Sequence, residues 1–389
     1  MTKTRRLVTI AVTTVLFAAC RKEASEPARQ PDDEISIEAG TERISQEKHT
    51  SHGGYVYTLG NQADANKVIV YRRDEDGKLN FVRSVSTGGK GTGSGLGSQG
   101  AISLSDNRNI LLAVNAGSNT ISSFKVSNGD LDLVSTVSSQ GLKPISITQH
   151  DGLVYVLNAG GTGNISGFRT IGNGKLITIP HSERPLSTPS SDPAQISFVN
   201  GGRTLVVTEK GTNKIISYAL NFFGVPAAFH SLNSANATPF GFAVGEDGKI
   251  FVSEAAGGTP GASSVSSYKV SYDGTISLIN GPVLAGQTAA CWVVVTDNNK
   301  FVYATNTGSN DVSSFTASAA GHLDIFHAVA GNSGKTPIDA ALSDQSQFLY
   351  ALNAGDVSIS AFKVNHNGEL TAIQTVLGLQ TGTIGLAAE

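Results

Sequence analysis

The stretch Phe301-Val302-Tyr303-Ala304-Thr305-Asn306-Thr307-Gly308-Ser309-Asn310-Asp311-Val312-Ser313-Ser314-Phe315 decides the fold. Phe301 to Asn306 is a short apolar run, Thr307 to Asn310 is turn chemistry, and Asp311 to Phe315 alternates again. That pattern reads strand, tight turn, strand. The opening run recurs seven times along the chain. The other copies are Val56-Tyr57-Thr58-Leu59-Gly60, Leu111-Leu112-Ala113-Val114-Asn115, Val154-Tyr155-Val156-Leu157-Asn158, Leu205-Val206-Val207-Thr208-Glu209, Ile250-Phe251-Val252-Ser253-Glu254 and Leu349-Tyr350-Ala351-Leu352-Asn353. Their last residues are spaced by roughly 49 positions on average, a period that suits four strands per propeller blade.

Each copy is followed by a second alternating strand, such as Lys67 to Tyr71 or Thr120 to Phe124, and then by a hairpin turn. Asp76-Gly77, Asn128-Gly129, Asn173-Gly174, Asp273-Gly274 and Asn367-Gly368 are such turns. They supply the positive φ that tight hairpins need. One blade departs, with the longer aromatic turn Asn221-Phe222-Phe223-Gly224. Ahead of the copies lie small-residue strands, several opened by proline: Lys143-Pro144-Ile145, Thr238-Pro239-Phe240 and Thr336-Pro337-Ile338. Proline is tolerated at a strand's first residue, and small residues suit a crowded inner ring. The first copy has no such strand before it, whereas Gly382 to Ala388 has the pattern and no blade after it. The sequence therefore predicts an all-β, seven-bladed β-propeller over residues 51–389, in which the C-terminal strand closes blade one and removes the open sheet edges.

Composition agrees. Glycine is 44 of 389 residues and charged residues only 15%, against about 25% in ordinary domains, which excludes a coiled coil or helical solenoid. Residues 1–19 carry a basic start (Lys3, Arg5, Arg6) and an apolar run too short to span a membrane, as in a signal peptide. Ala18-Ala19-Cys20 resembles a lipobox, so Cys20 is the predicted lipidation site and a membrane the predicted partner, in the periplasm or on the outer surface of the cell envelope. Residues 20–50 read as a disordered tether: residues 21–50 hold 13 charged residues and almost no large apolar one. No basic stripe points to nucleic acid, and a monomer is expected. Cys291, the only other cysteine, reads as a small buried hydrophobe.

The Phe301–Phe315 stretch and its copies resemble the repeat of the seven-bladed propeller lactonase family. That family includes cycloisomerase-type 6-phosphogluconolactonases and 3-carboxymuconate lactonizing enzymes, and related repeats occur in surface-layer propellers with Tyr-Val-Thr-Asn blades. The resemblance covers roughly residues 54–389. It implies a site at one mouth of the channel, with histidines on an inner strand of a middle blade. The matching stretch is Asp192-Pro193-Ala194-Gln195, where Ala194 or Gln195 stands at the histidine position.

Glu209 and Glu254 occupy the repeat position held elsewhere by asparagine. Equivalent positions approach one mouth, so the two glutamates with Lys210 are the candidate acid, base and anion holder; the alternative is that they cap turns. Gln195, Asp339 and Gln99 are candidate binding residues on inner strands, either lining the channel or paired. No cofactor is called for, although Glu209, Glu254 and Asp339 offer the oxygen ligands that a divalent cation takes. Gly88 to Gly97 lacks phosphate-loop order and reads as a flexible connection between blades. Two functions are expected: a binding module for a protein, glycan or small molecule, the family histidines being absent, or a lactonase or muconate cyclase-like enzyme acting on a cyclic ester.

Overall fold

The computed structural model describes residues 53–389; the signal peptide, Cys20 and the tether lie outside the described residues. Seven antiparallel sheets follow one another, and each begins on an inner strand and steps outward through three antiparallel partners. The inner strands are Ile384–Ala388 in blade 1, Ile102–Leu104 in blade 2, Leu142–His150 in blade 3 and Pro193–Val199 in blade 4. Pro239–Val244, Ala290–Val295 and Pro337–Leu342 serve blades 5, 6 and 7. Each neighbours the next, and the seven form a closed ring. Blade 3 carries an extra two-residue strand, Arg184–Pro185, beside Asn164–Ile171.

The closure is as the sequence predicts. Ile384–Ala388 pairs antiparallel with Tyr55–Leu59, and Glu389 N–H donates to the Tyr55 carbonyl. The Tyr57 hydroxyl donates to Glu389 at 2.8 Å.

The repeated strand, second in each blade, is the buried layer. Its alternating apolar residues pack between sheets, and its tyrosines reach the neighbouring blade. Tyr155, Tyr303 and Tyr350 donate their hydroxyls to the carbonyls of Gly224, Gly368 and Gly77, in the outer hairpin turn of the next blade. A buried tyrosine must find such a partner, so one residue type serves both the core and the seam.

Five inner strands have a bulge near their start, as between Pro193 and Gln195 or Pro337 and Asp339. The bulge turns the residue after it toward the adjoining blade. In blades 3, 4 and 7 that residue is Ser146, Gln195 or Asp339, and its oxygen accepts the N–H of Ile196, Phe242 or Leu386 on the next inner strand. Blade 5 has Gly241 there and no side chain to offer.

Candidate functional site

Glu209 and Glu254 end the second strands of blades 4 and 5, and both are wholly buried. Asn306 and Asn353 in this position point their amides at the next strand: Asn306 Nδ2 donates to Asp311 and Ser313, and Asn353 Nδ2 to Ser358 and Ser360, whereas Asn158 Nδ2 donates to the Ser139 carbonyl and Asn115 Oδ1 accepts the Thr87 hydroxyl in the loops entering their blades. Glutamate reverses the polarity. Glu254 Oε2 accepts the hydroxyls of Ser264 and Ser266 at 2.6 and 2.7 Å. The carboxylate also holds the incoming loop, where Oε1 accepts Ser234 Oγ at 2.7 Å and Asn236 N–H at 3.1 Å, besides the Tyr268 hydroxyl at 3.1 Å. Burial and the Glu254 charge push the Tyr268 hydroxyl up to about 12. Glu209 likewise holds the Ser187 amide and hydroxyl and the Thr212 hydroxyl. The buried Oδ1 atoms of Asn158, Asn306 and Asn353 have no such partner. Both glutamates therefore tie a blade to the loop that enters it.

Lys210 lies at the mouth where the inner strands begin. Its ammonium donates to the carbonyls of Gly97 and Pro193 at 2.8 and 3.1 Å. It sits 3.4 Å from Asp192 and 4.7 Å from the centre of the Phe240 ring. Burial lowers its pKa, and Asp192 partly restores it. Phe240 packs on Trp292, 4.9 Å between centroids. Burial raises the neighbouring Cys291 thiol to about 11, which keeps it from being a thiolate nucleophile.

Gln195 and Asp339 are buried blade ties. Gln195 both accepts from Phe242 N–H and donates to its carbonyl. Asp339 accepts Ala340 N–H at 2.8 Å and Leu386 N–H at 3.2 Å. Enclosure raises its carboxyl well above the ordinary 3.8, against the pull of those two amides. The folded protein thus holds a proton that the unfolded chain releases. Stability from this group is full below the unfolded value and falls as pH rises toward the folded one. In urea titrations between about pH 4 and 8, wild type is expected to lose stability relative to Asp339→Asn as pH rises. A pH-independent difference would contradict this.

The cation trio is corrected. Glu209, Glu254 and Asp339 have separate partner sets and form no metal-type cluster. Among the described residues the grouping with three such ligands within 4.8 Å is Asp106, His150 and Asp151, on the face opposite Lys210. His150 Nδ1 is 3.1 Å from Asp106 and Nε2 is 3.6 Å from Asp151, so both ring nitrogens already face a carboxylate. A groove of about 550 Å³ adjoins it, lined by Arg203, Glu246 and Tyr272 among others. No local sequence pattern announces this grouping, because Asp106 belongs to blade 2 and His150 to blade 3.

Gln99 and the glycine-rich segment differ most from expectation. Gln99 is not part of an inner strand: that strand of blade 2 begins only at Ile102. Leu96, Ser98 and Gln99 are buried, and the segment crosses the ring. Ser98 Oγ donates to Ile145 in blade 3, and Gln99 N–H to Ala194 in blade 4. Trp292 Nε1 in blade 6 donates to the Ser98 carbonyl at 3.0 Å. The Gln99 amide pairs with both the N–H and the carbonyl of Val293, at 3.2 and 3.0 Å.

The chain matches the family model described as "Lactonase, 7-bladed beta-propeller" over residues 47–178 and 262–384, more than half its length. It belongs to that family. The unmatched middle holds Glu209, Glu254 and all of blade 4. No curated protein matches the sequence significantly. Similar solved structures include the periplasmic gluconolactonase of Pseudomonas aeruginosa, 17% identical with a TM-score of 0.65, over 85% of this chain and 98% of that one. A protein from Lactobacillus plantarum is 16% identical with a TM-score of 0.67, over 86% and 98%. A provisionally assigned 6-phosphogluconolactonase of Bacteroides fragilis is 16% identical with a TM-score of 0.65, over 87% and 98%. At these identities the likeness establishes the fold.

Proposed function

We propose that this lactonase-family propeller is a ligand-binding module of the cell envelope, held to a membrane by a lipidated Cys20, and not a hydrolase. The observation that carries the reading is the burial and hydrogen-bond saturation of Glu209 and Glu254. A general acid or base must reach its proton directly or through one water, and these oxygens already serve the fold. By the family resemblance, Ala194 or Gln195 stands where a histidine is expected, and the Lys210 ammonium is bound by carbonyls and faces Asp192. The periplasmic location named for the Pseudomonas relative supports the envelope assignment.

The second reading, lactone hydrolysis at the Lys210 mouth, is favoured by family membership. A panel of small lactones separates the two. No turnover above the uncatalysed rate, with or without calcium or magnesium, is expected. Turnover by wild type that a folded Glu209→Gln, Glu254→Gln double variant loses would overturn the binding reading. A Cys20→Ala chain is expected to leave the membrane fraction; retention there refutes the anchor.

A further inference from the structure

The inner strands begin at the Lys210 mouth, so the turns after the first and third strands of every blade lie on the opposite face. Five blades close the outer of these turns with Asn-Gly or Asp-Gly, whereas blade 4 uses Asn221-Phe222-Phe223-Gly224. The backbone of that turn is held without its rings. Asn221 Oδ1 accepts the N–H groups of Phe223 and Val225 at 2.9 and 3.0 Å, and the Asn221 carbonyl accepts Gly224 N–H at 2.9 Å. The Gly224 carbonyl takes the Tyr155 hydroxyl of blade 3 at 2.7 Å. The two rings pack edge to face, 5.6 Å between centroids, and are 94% and 69% exposed. Single exposed apolar residues need no explanation; two together at the tip of a braced turn do.

The flanking blades continue the feature. Ile171 at the turn of blade 3 and Tyr272 at that of blade 5 are also exposed. Arginines stand beside these apolar tips: Arg169 Nη2 donates to the Phe223 carbonyl at 3.0 Å, and the Arg203 guanidinium lies 5.3 Å from the centre of the Tyr272 ring. The corresponding turns of blades 1 and 2 carry Asp74, Glu75, Asp76 and Asp130 instead. Rings that project with guanidinium groups beside them suit a lipid surface, where the ring enters the acyl boundary and the cation stays among the phosphates. Glu246, Asp247 and Asp273 share this part of the face, so the surface it suits is zwitterionic. The described chain also starts on this face, where Arg73 N–H, at the end of the third strand of blade 1, donates to the Gly54 carbonyl at 2.8 Å. The chain from Cys20 to Gly53 spans at most about 110 Å, so a bilayer that holds Cys20 is within reach of the aromatic turn.

We infer that the turns of blades 3 to 5 dock on the surface of the bilayer that holds the anchor, with Phe222 and Phe223 entering the boundary between headgroups and acyl chains. The Lys210 mouth then faces away from that membrane. Two rings bind a bilayer weakly and reversibly by themselves, as one short acyl chain does. The tether raises the effective concentration of the surface and makes the contact persistent. The inference rests on the envelope reading above, but its readout lies on blade 4 and not on Cys20, so the two fail separately.

Trp292 is the only tryptophan and is buried at the Lys210 mouth, so Phe222→Trp adds a reporter of the turn alone, with the wild-type protein as blank. In the full chain, reconstituted with vesicles of phosphatidylethanolamine and phosphatidylcholine, the reporter is expected to shift its emission to the blue. Phosphatidylcholine with brominated acyl chains is expected to quench it at least twofold. Adding Cys20→Ala is expected to raise the lipid concentration needed for quenching at least tenfold. Adding Phe223→Ser and Tyr272→Ser as well is expected to raise it at least tenfold further, with an unchanged circular dichroism spectrum. A chain that floats with the vesicles while the reporter keeps its aqueous emission would overturn the docking and leave the anchor standing. A Cys20→Ala chain that floats and is quenched as strongly as its parent would refute the anchor and support the docking. A blue shift that needs no vesicles and grows with protein concentration would put a second copy of the chain on the turn, and would overturn the bilayer as its occupant.

Discussion

A chain lacking residues 380–389 is expected to lose cooperative unfolding altogether. The deletion removes the inner strand of blade 1 and with it the buried side chains of Ile384 and Leu386, each contributing about 1.5–3 kcal/mol on burial. It also strips acceptors from several ordered groups. Thr58 Oγ1 loses the Ile384 carbonyl, Asn61 loses that of Gly382, Gln62 loses that of Thr381, and the Tyr57 hydroxyl loses Glu389. Leu386 N–H no longer meets Asp339, so that buried carboxyl keeps only its own neighbour's amide. Together these losses exceed about 5 kcal/mol, the lower end of a domain's whole stability. The damage is also topological. Tyr55–Leu59 becomes an open inner edge, and blades 7 and 2 lose the strand between them. Calorimetry of the full and truncated chains decides: a single sharp transition at the same temperature in both would show that the ring does not depend on its last strand.

The closing strand was legible because a repeat protein advertises what is missing. The copy at Val56 has no inner strand before it, and Gly382 to Ala388 has no blade after it. The blades were legible for a similar reason: alternation, Asn-Gly turns and opening prolines are local features, repeated often enough to average out exceptions. The Gln99 segment follows the opposite logic. Gly88 to Gly97 has few side chains and hence no pattern, and its partners are remote; Gln99 and Val293 stand 194 residues apart. One signal was present. Aligned on their opening residues, the inner strands put Ser146, Gln195, Trp292 and Asp339 at one position and Gly241 at the same place in blade 5. A single glycine in such a column marks something else approaching. The two glutamates were legible in place and ambiguous in role. Asn and Glu are both polar strand ends, and only the partners of the carboxyl, Ser187 or Ser234 in the incoming loop, separate a tie from a catalyst.

That distinction sets the second large effect. Glu254→Ala is expected to cost about 3–5 kcal/mol, as when one partner of a buried charged network is removed. Five donors lose their acceptor at once: the hydroxyls of Ser234, Ser264, Ser266 and Tyr268 and the Asn236 N–H. Each unsatisfied buried group carries a penalty of about 1–3 kcal/mol, and water entering the vacated space relieves only part of it. Glu254→Gln keeps Oε1 for Ser234, Asn236 and Tyr268, and its amide can donate to Ser264 and Ser266 once their hydroxyls rotate. Asn306 and Asn353 already use that arrangement toward Ser313 and Ser360. The glutamine variant is therefore expected to lose only about 1–2 kcal/mol, one or two ordinary hydrogen bonds. Urea unfolding of the three proteins measures both numbers. Alanine and glutamine variants of equal, near-wild-type stability would show that the network carries no weight in the fold. Glu254 would then be a buried carboxyl without a structural task, and the case for catalysis at this position would reopen.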